Sequence, residues 1–282
     1  MKKFGAYPVV VNYNLHTQLR NNPKQDDLYR MGRREEEKQL YIKTTSTSDA
    51  GIENNLYKQE IRQWETTICQ CLRQIEGNPV GRIVLGLINK QTTVWINPET
   101  DDWKKCSCAQ TGPLNYEIQK DSVARGAGSG DTLILFKPEL GDDTLFHELV
   151  HAYRYSYKKF SPMCIDNLNP SPKGPHCGSS EEFLAHQMSN LYMSQANRPL
   201  TLDYYDASVS SKDEIYNFLQ NDVDRLEALK YFLRHEYLAM LAAHTFTSTN
   251  YNPFRDYAML EANFLKDMDL PTLPELGTVL RS

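Results

Sequence analysis

The residues best suited to chemistry are His147, Glu148 and His151, which stand together in the stretch HELVH. On a helix, side chains four residues apart lie one above the other on the same face, so the two imidazoles can converge on a single ion. Zn²⁺ binds neutral imidazole nitrogens and, at a catalytic site, keeps one position open for water. Glu148 would lie beside that water as the general base, taking its proton and passing it toward the leaving amine. This spacing is typical of the metal-binding helix of zinc peptidases.

The sequence around the motif predicts a buried helix that follows a strand. Residues 132–136 are an apolar run of strand type, and Pro138 and Gly141 separate this run from the motif. The helix can be capped by one of three polar residues, of which the acidic pair suits its positive dipole end: Asp142, Asp143 or Thr144. Because apolar residues surround the motif, its imidazoles and carboxylate would be buried, and a metal would supply the partner that buried polar groups need.

Zinc needs a third protein ligand, and the best-placed candidates are two acidic residues in the first turn of a second predicted helix, which begins near Ser180. Glu182 shares its face of that helix with small residues, which would permit close approach to the metal helix, whereas Glu181 shares its face with core-packing residues. The two faces consist of Ala185, His186 and Ser189, and of Leu184, Met188 and Leu191, respectively. We therefore prefer Glu182 as the third ligand and keep Glu181 as the alternative, with His176 and His186 as rivals.

Catalysis also needs a hydrogen-bond donor for the oxyanion of the tetrahedral intermediate. Tyr153, Tyr155 and His176 are the candidate transition-state donors within reach of the motif. His176 belongs to the stretch from Ser161 to Ser180, which proline and glycine residues punctuate. A loop this long is more often functional than idle, and we expect it to flank the cleft.

Hydrophobic periodicity predicts a mixed α+β protein with a small antiparallel or mixed sheet. Apolar positions at three- and four-residue spacing predict an amphipathic helix over residues 56–75, and strand-type runs over 82–88 and 92–97 predict a hairpin. A further strand is expected over 132–136, and additional helices follow the motif, most clearly over 212–246. The strand over 132–136 could form the sheet edge where an extended substrate pairs its backbone, or could be an ordinary core strand.

The composition is that of a globular protein. Of the 282 residues, 40% are hydrophobic and 24% are charged, and the net charge of −5 gives no reason to expect a nucleic-acid or membrane-surface partner. No apolar run approaches the ~20 residues of a membrane span, and no cleavable secretion signal is evident.

We divide the chain into an N-terminal arm, residues 1–55, and a peptidase domain with a helical C-terminal part, residues 56–282. The arm shows little hydrophobic periodicity, and its last part is rich in charged and hydroxyl-bearing residues. We therefore expect it to be partly mobile. It would either serve targeting or export or have no role. The six cysteines show no zinc-knuckle spacing, which favours reduced thiols and a reducing compartment.

With these motifs in place, the middle of the chain resembles the NleD-like zinc metallopeptidases, which are effectors that bacteria inject into host cells by type III secretion. The similarity covers roughly residues 82–200, with a further patch at 252–255. It is carried by the glycine-rich lead at 126–130, the strand that follows it, HELVHA at 147–152 and EEFLA at 181–185.

This resemblance implies a zincin-like metallopeptidase fold with Zn²⁺ as cofactor and an enzyme secreted into the host cytoplasm. It also implies His147 and His151 as metal ligands, Glu148 as the base, and an acidic third ligand at Glu182 or Glu181. The run that begins at Glu182 also looks like the third-ligand helix of anthrax lethal factor, which favours Glu182. Family members cleave a few host proteins, among them stress-activated MAP kinases. A host signalling kinase is therefore a candidate substrate, although no feature of this chain matches the family in a way that identifies it.

Three hypotheses remain open at this point. The first is a zinc endopeptidase that acts on a host protein, with zinc polarising the scissile carbonyl and Glu148 activating water. The second is an effector that keeps the scaffold and binds a host protein without cutting it, although such a scaffold has no need of the base. The third is a zinc hydrolase of a non-peptide amide, which a substrate-pairing strand over 132–136 would disfavour.

Overall fold

The computed structural model of the chain describes residues 2–11, 50–98, 110–113, 132–157, 159, 180–201, 209–220 and 223–267. Over these residues the protein is mixed α+β and mostly helical, with a small sheet. The chain divides into two compact units, Met1–Ser161 and Pro162–Ser282. The α+β class predicted from the sequence is confirmed.

The first unit contains a five-stranded mixed sheet. Its strands are β1 (Lys2–Lys3), β2 (Val9–Val11), β3 (Val94–Pro98), β4 (Gln110–Pro113) and β5 (Thr132–Phe136). In spatial order they run β1, β2, β3, β5, β4; the three central strands are parallel, and an antiparallel strand lies at each edge. The mixed sheet was one of the two kinds that the sequence predicted.

The strand predicted over residues 132–136 is confirmed as β5, and its side chains alternate as a sheet between layers requires. Thr132, Ile134 and Phe136 are completely buried, whereas Leu133 and Leu135 are half-buried. The suggestion that this strand forms a sheet edge is wrong, because β5 pairs with β3 on one side and with β4 on the other. Among the described strands, β4 is the outermost on this side of the sheet, and hydrophobic periodicity predicts no element there.

The described residues of the first unit also form three α-helices: α1 (Ala50–Gly77), α2 (Pro79–Leu87) and α3 (Gly141–Ser156). The helix predicted over 56–75 is confirmed as the central part of α1. Its residues Cys69 and Cys71 are buried. The predicted strand over 82–88 is wrong, because these residues belong mostly to α2, and β3 therefore has no hairpin partner there.

Helix α2 forms because its N-terminus is capped within the local sequence. The side chain of Asn78 accepts hydrogen bonds from the backbone N–H groups of Val80 (2.9 Å) and Gly81 (3.4 Å), and Pro79 occupies the first turn, where its missing N–H is harmless. Gly81 allows α2 to lie directly against the end of α1, since a Cβ atom there would come within 2.8 Å of the carbonyl carbon of Ile75. The apolar run reads as a strand only if this cap is overlooked.

Residues 2–11 correct part of the interpretation of the N-terminal arm. Val9, Val10 and Val11 form β2, which pairs in parallel with β3, and Lys2 and Lys3 pair with its outer side as β1. Five of these ten residues are therefore strand residues of the sheet, and the other five connect the two strands. Residues 12–49 lie outside the described part of the chain, and the domain boundary at residue 55 stays a prediction.

The start of α3 differs from the predicted cap. The cap position is Leu140, which offers no side-chain hydrogen bond, and a short 3₁₀ turn at Pro138–Leu140 leads into the helix. Asp142 and Asp143 lie in the first turn, where their charges suit the helix dipole as expected. Thr144 donates its hydroxyl to the carbonyl of Leu140 (2.9 Å) from within the helix instead of capping it.

The second unit is helical, with one small two-stranded sheet. Its elements are α4 (Ser180–Gln195), β6 (Leu200–Thr201), β7 (Val209–Ser210), α5 (Lys212–Gln220), α6 (Val223–His235), α7 (Tyr237–Thr245) and α8 (Pro253–Asp267). The helices predicted near Ser180 and over 212–246 are confirmed, the latter as three shorter helices. None of the helices in the described ranges is long and apolar enough to cross a membrane.

Candidate metal centre

Helix α3 holds both motif histidines in the interior of the first unit. Every side chain from Leu145 to Ser156 is buried, because the helix contacts α1, α2, β4 and β5. His147, Glu148 and His151 are only 5%, 2% and 4% exposed. The burial predicted for the motif helix is therefore confirmed.

The two imidazoles converge as their spacing predicts. The Nε2 atoms of His147 and His151 lie 3.1 Å apart, and the ring centroids are separated by 4.8 Å with the planes at 77°. Two nitrogen ligands of a tetrahedral zinc ion, each bound at about 2.0–2.1 Å, lie about 3.3 Å apart. The observed separation also suits a hydrogen bond between the rings. The imidazoles would therefore need to move only slightly to change from a hydrogen-bonded pair to a metal-binding pair.

A carboxylate oxygen of Glu182 completes the group. The candidate ligand atoms of His147, His151 and Glu182 all lie within 4.8 Å of one another. Two imidazoles and one carboxylate form a donor set that zinc accepts at catalytic sites. The group could therefore bind a metal ion.

The face argument for the third ligand agrees with this grouping. Glu182 is half-buried, and the small residues of its face, Ala185 and Ser189, are buried beside it along α4. The alternative, Glu181, is 1% exposed and does not belong to the group. His186, which was a rival, lies 3.2 Å through its Nε2 from the carbonyl oxygen of Thr201 and is likewise outside the group.

The candidate transition-state donors occupy different faces of α3. Tyr155 follows His151 by four residues, so it continues the histidine face, and it is 6% exposed. Tyr153 lies two residues after His151, away from that face, and its ring packs edge-on against Tyr157 at 5.6 Å. The geometry thus favours Tyr155 over Tyr153. His176, together with residues 161–179, lies outside the described part of the chain.

Two buried polar residues on α4 were not predicted from the sequence to have a role. Both stabilise the helix that carries Glu182. Asn190 is completely buried and binds the backbone of Thr201 in both directions, donating to its carbonyl (2.8 Å) and accepting from its N–H (3.0 Å). Gln187 accepts a hydrogen bond from the hydroxyl of the buried Tyr251. The sequence signal for these residues was the presence of side-chain amides within an otherwise apolar stretch. Their hydrogen-bond partners are distant in sequence, so the signal does not identify them.

Comparison of the chain with protein-family models, with curated proteins and with solved structures finds no match.

Proposed function

We propose that this chain is a zinc-dependent endopeptidase of the zincin type. The observation that carries the proposal is that the candidate ligand atoms of His147, His151 and Glu182 lie within 4.8 Å of one another, and that the helix of the two histidines also buries Glu148 beside them. Glu148, 2% exposed, lies next to the two candidate histidine ligands, where a carboxylate can serve as a general base. The resemblance to NleD-like effectors extends the proposal to delivery into a host cell and cleavage of selected host proteins there.

Each residue of the site has a separate role in the proposed reaction. His147, His151 and Glu182 would hold the ion, which when bound would polarise a carbonyl and make water easier to deprotonate. Glu148 accepts the proton from the attacking water and returns it to the leaving amine. Tyr155, one turn beyond His151 on the same face, is the best-placed described residue to donate a hydrogen bond to the developing oxyanion.

The substrate would pair with β4 rather than with β5. In the described sheet β4 is the outermost strand on this side, it pairs only with β5, and it contacts α3. Added strands bind through the backbone groups of such an edge. An extended peptide on β4 would therefore run beside the helix that bears Glu148.

The ligand assignment is tested by measuring the zinc content and zinc affinity of matched variants. Glu182→Gln removes one donor charge of the group, whereas Glu181→Gln changes the neighbouring residue that lies outside it. We expect Glu182→Gln to lower the zinc affinity by at least about tenfold, since even changes around the first ligand shell cost about that much, and Glu181→Gln to leave it nearly unchanged. The reverse order would remove Glu182 from the site.

The activity is tested by identifying new protein N-termini in host-cell lysate. Wild-type protein is compared with Glu148→Gln, which keeps the size of the side chain, and with wild type treated with a chelator. We expect a few cleavage sites with wild type only, and a loss of at least about 10²-fold in rate in Glu148→Gln despite full zinc content. Full activity of Glu148→Gln would refute the base assignment. No new N-termini with zinc bound would replace the peptidase by an amide hydrolase or a binding scaffold.

A further inference from the structure

The second unit contains a cavity of about 490 Å³ that takes no part in the metal centre. It is lined by residues of α5, α6 and α8. Leu219 and Leu229 form a buried apolar floor, each 2% exposed. At the opening Met259 and Leu260 are 58% and 57% exposed, although large apolar side chains usually avoid water. The volume and the apolar lining are those of a ligand site.

The charged part of the lining is acidic, and its other polar residues are Tyr216, Asn217 and Tyr257. Asp213 and Asp256 supply carboxylates, and none of the described residues that line the cavity is basic. Asp256 accepts hydrogen bonds from the hydroxyl of Tyr216 and from Nε of Arg255, so its charge is largely balanced and its position is fixed. Asp213 is exposed, and an incoming cation would meet it first. The cavity therefore combines a place for an apolar group with an attraction for a positive charge beside it.

We infer that this cavity binds a segment of the protein substrate that presents a large apolar side chain next to a lysine or an arginine. The inference rests on the proposed endopeptidase function and adds a docking site away from the scissile bond. The apolar side chain fills the space above Leu219 and Leu229. The cation pairs with Asp213, and the exposed Met259 and Leu260 are covered by the bound segment.

The wall of the cavity is joined by direct contacts to the helix that carries Glu182. The ring of Tyr216 packs against that of Tyr251 at 5.2 Å. The hydroxyl of Tyr251 donates to the side chain of Gln187, which lies on α4 five residues after Glu182. A segment bound in the cavity is therefore held at a fixed position relative to α4, as a docking site for substrate requires.

Binding is tested on the full chain by NMR of methionine labelled with ¹³C in its methyl group. The probes are two short peptides, N-acetyl-Trp-Lys-amide and N-acetyl-Trp-Glu-amide, which differ in the sign of one charge. The resonance of Met259 is identified by its absence in Met259→Leu. We expect this resonance to shift with the lysine peptide and to report binding at least about threefold weaker with the glutamate peptide. No shift at millimolar peptide, or equal affinity for both peptides, would overturn the inference.

Matched variants locate the two halves of the interaction. Asp213→Asn should weaken binding of the lysine peptide by up to about fivefold, as for an exposed ion pair, and Leu260→Asp by about tenfold or more. Glu227→Gln removes an exposed carboxylate of the same unit that does not line the cavity, and should leave the affinity unchanged. An equal loss of affinity in Asp213→Asn and Glu227→Gln would mean that only the overall charge of the protein matters, and would refute the site.

The link to catalysis is tested with a protein substrate from the N-terminus experiment. Leu260→Asp should raise KM for that protein about tenfold with kcat and zinc content unchanged, and should not alter cleavage of a short peptide that spans the cut. An unchanged KM would refute the docking role. If no protein is cleaved, the endopeptidase proposal fails, whereas the methionine titration still decides whether the cavity binds its probe.

Discussion

A substitution at Gly81 tests how the metal helix is supported, because α2 lies between the end of α1 and the surface of α3. A Cβ atom at this position would lie 2.7 Å from Cγ2 of Ile75 and 2.8 Å from its carbonyl carbon, and closer still to its carbonyl oxygen. Real Cβ atoms essentially never approach other atoms to under 3.0 Å, so Gly81→Ala must push α2 away from α1. Gly86 lies in the same helix and has nothing within 4 Å of the corresponding Cβ position.

The two glycines therefore predict changes of opposite sign. Replacing a helical glycine by alanine gains about 0.5–1 kcal/mol when there is space, and this is the stabilisation expected for Gly86→Ala. At Gly81 the same gain is outweighed by overpacking against backbone, which typically costs about 1–3 kcal/mol and more when the neighbour cannot yield. We expect a net loss of about 2 kcal/mol for Gly81→Ala, and a difference of about 3 kcal/mol between the two variants.

Urea unfolding monitored by tryptophan fluorescence measures this difference in the relevant part of the chain. The three tryptophans, Trp64, Trp95 and Trp103, all belong to the unit Met1–Ser161. Equal stability of Gly81→Ala and Gly86→Ala would refute the close contact between α1 and α2. If residues 82–88 formed a strand, Gly86→Ala would lose its helix-specific gain as well.

Two further outcomes follow from the site and from the second unit. At a free zinc concentration 100 times its Kd, zinc should raise the free energy of unfolding by about 2.7 kcal/mol; the effect should vanish in His147→Ala, and an equal gain in that variant would contradict the ligand assignment. Burial raises the pKa of Tyr251 well above its ordinary value, with smaller contributions from Tyr216 and Asp256. Because the folded-state pKa is raised, the stabilisation is complete below the unfolded value of about 10 and is lost as the pH rises above it. Tyr251→Phe should therefore flatten the alkaline fall in stability measured by urea unfolding and far-UV circular dichroism, and an unchanged slope would contradict this cause.

Local signals predicted the elements that carry the site. The spacing of His147 and His151 is a property of one helix, and the structure gives their nitrogens the expected proximity of 3.1 Å. The choice of Glu182 over Glu181 followed from which neighbours share a face, and Glu182 is the one of the two that groups with both histidines. Both arguments need only the helical period and no knowledge of distant contacts.

The errors arose where pairing partners are distant or where a cap competes with an apolar pattern. Val9–Val11 resembles an isolated apolar run until β3 supplies its partner, and Gln110–Pro113 has almost no strand-forming residues yet pairs with β5. Residues 82–88 contain enough valine, leucine and isoleucine for a strand, but the cap at Asn78 and the close packing at Gly81 favour a helix. Short apolar runs do not distinguish these outcomes by periodicity alone.

Buried polar residues separate the structural from the functional parts of this molecule. Asn190 is completely buried, and its amide binds both backbone groups of Thr201, so its burial is explained by the fold. His147, Glu148 and His151 place three ionisable side chains, each at most 5% exposed, within five residues of a helix that otherwise packs as core. A fold that breaks its own local pattern in this way is expected to do so at a functional site, and an ion held by the two histidines and Glu182 would explain the choice of residues.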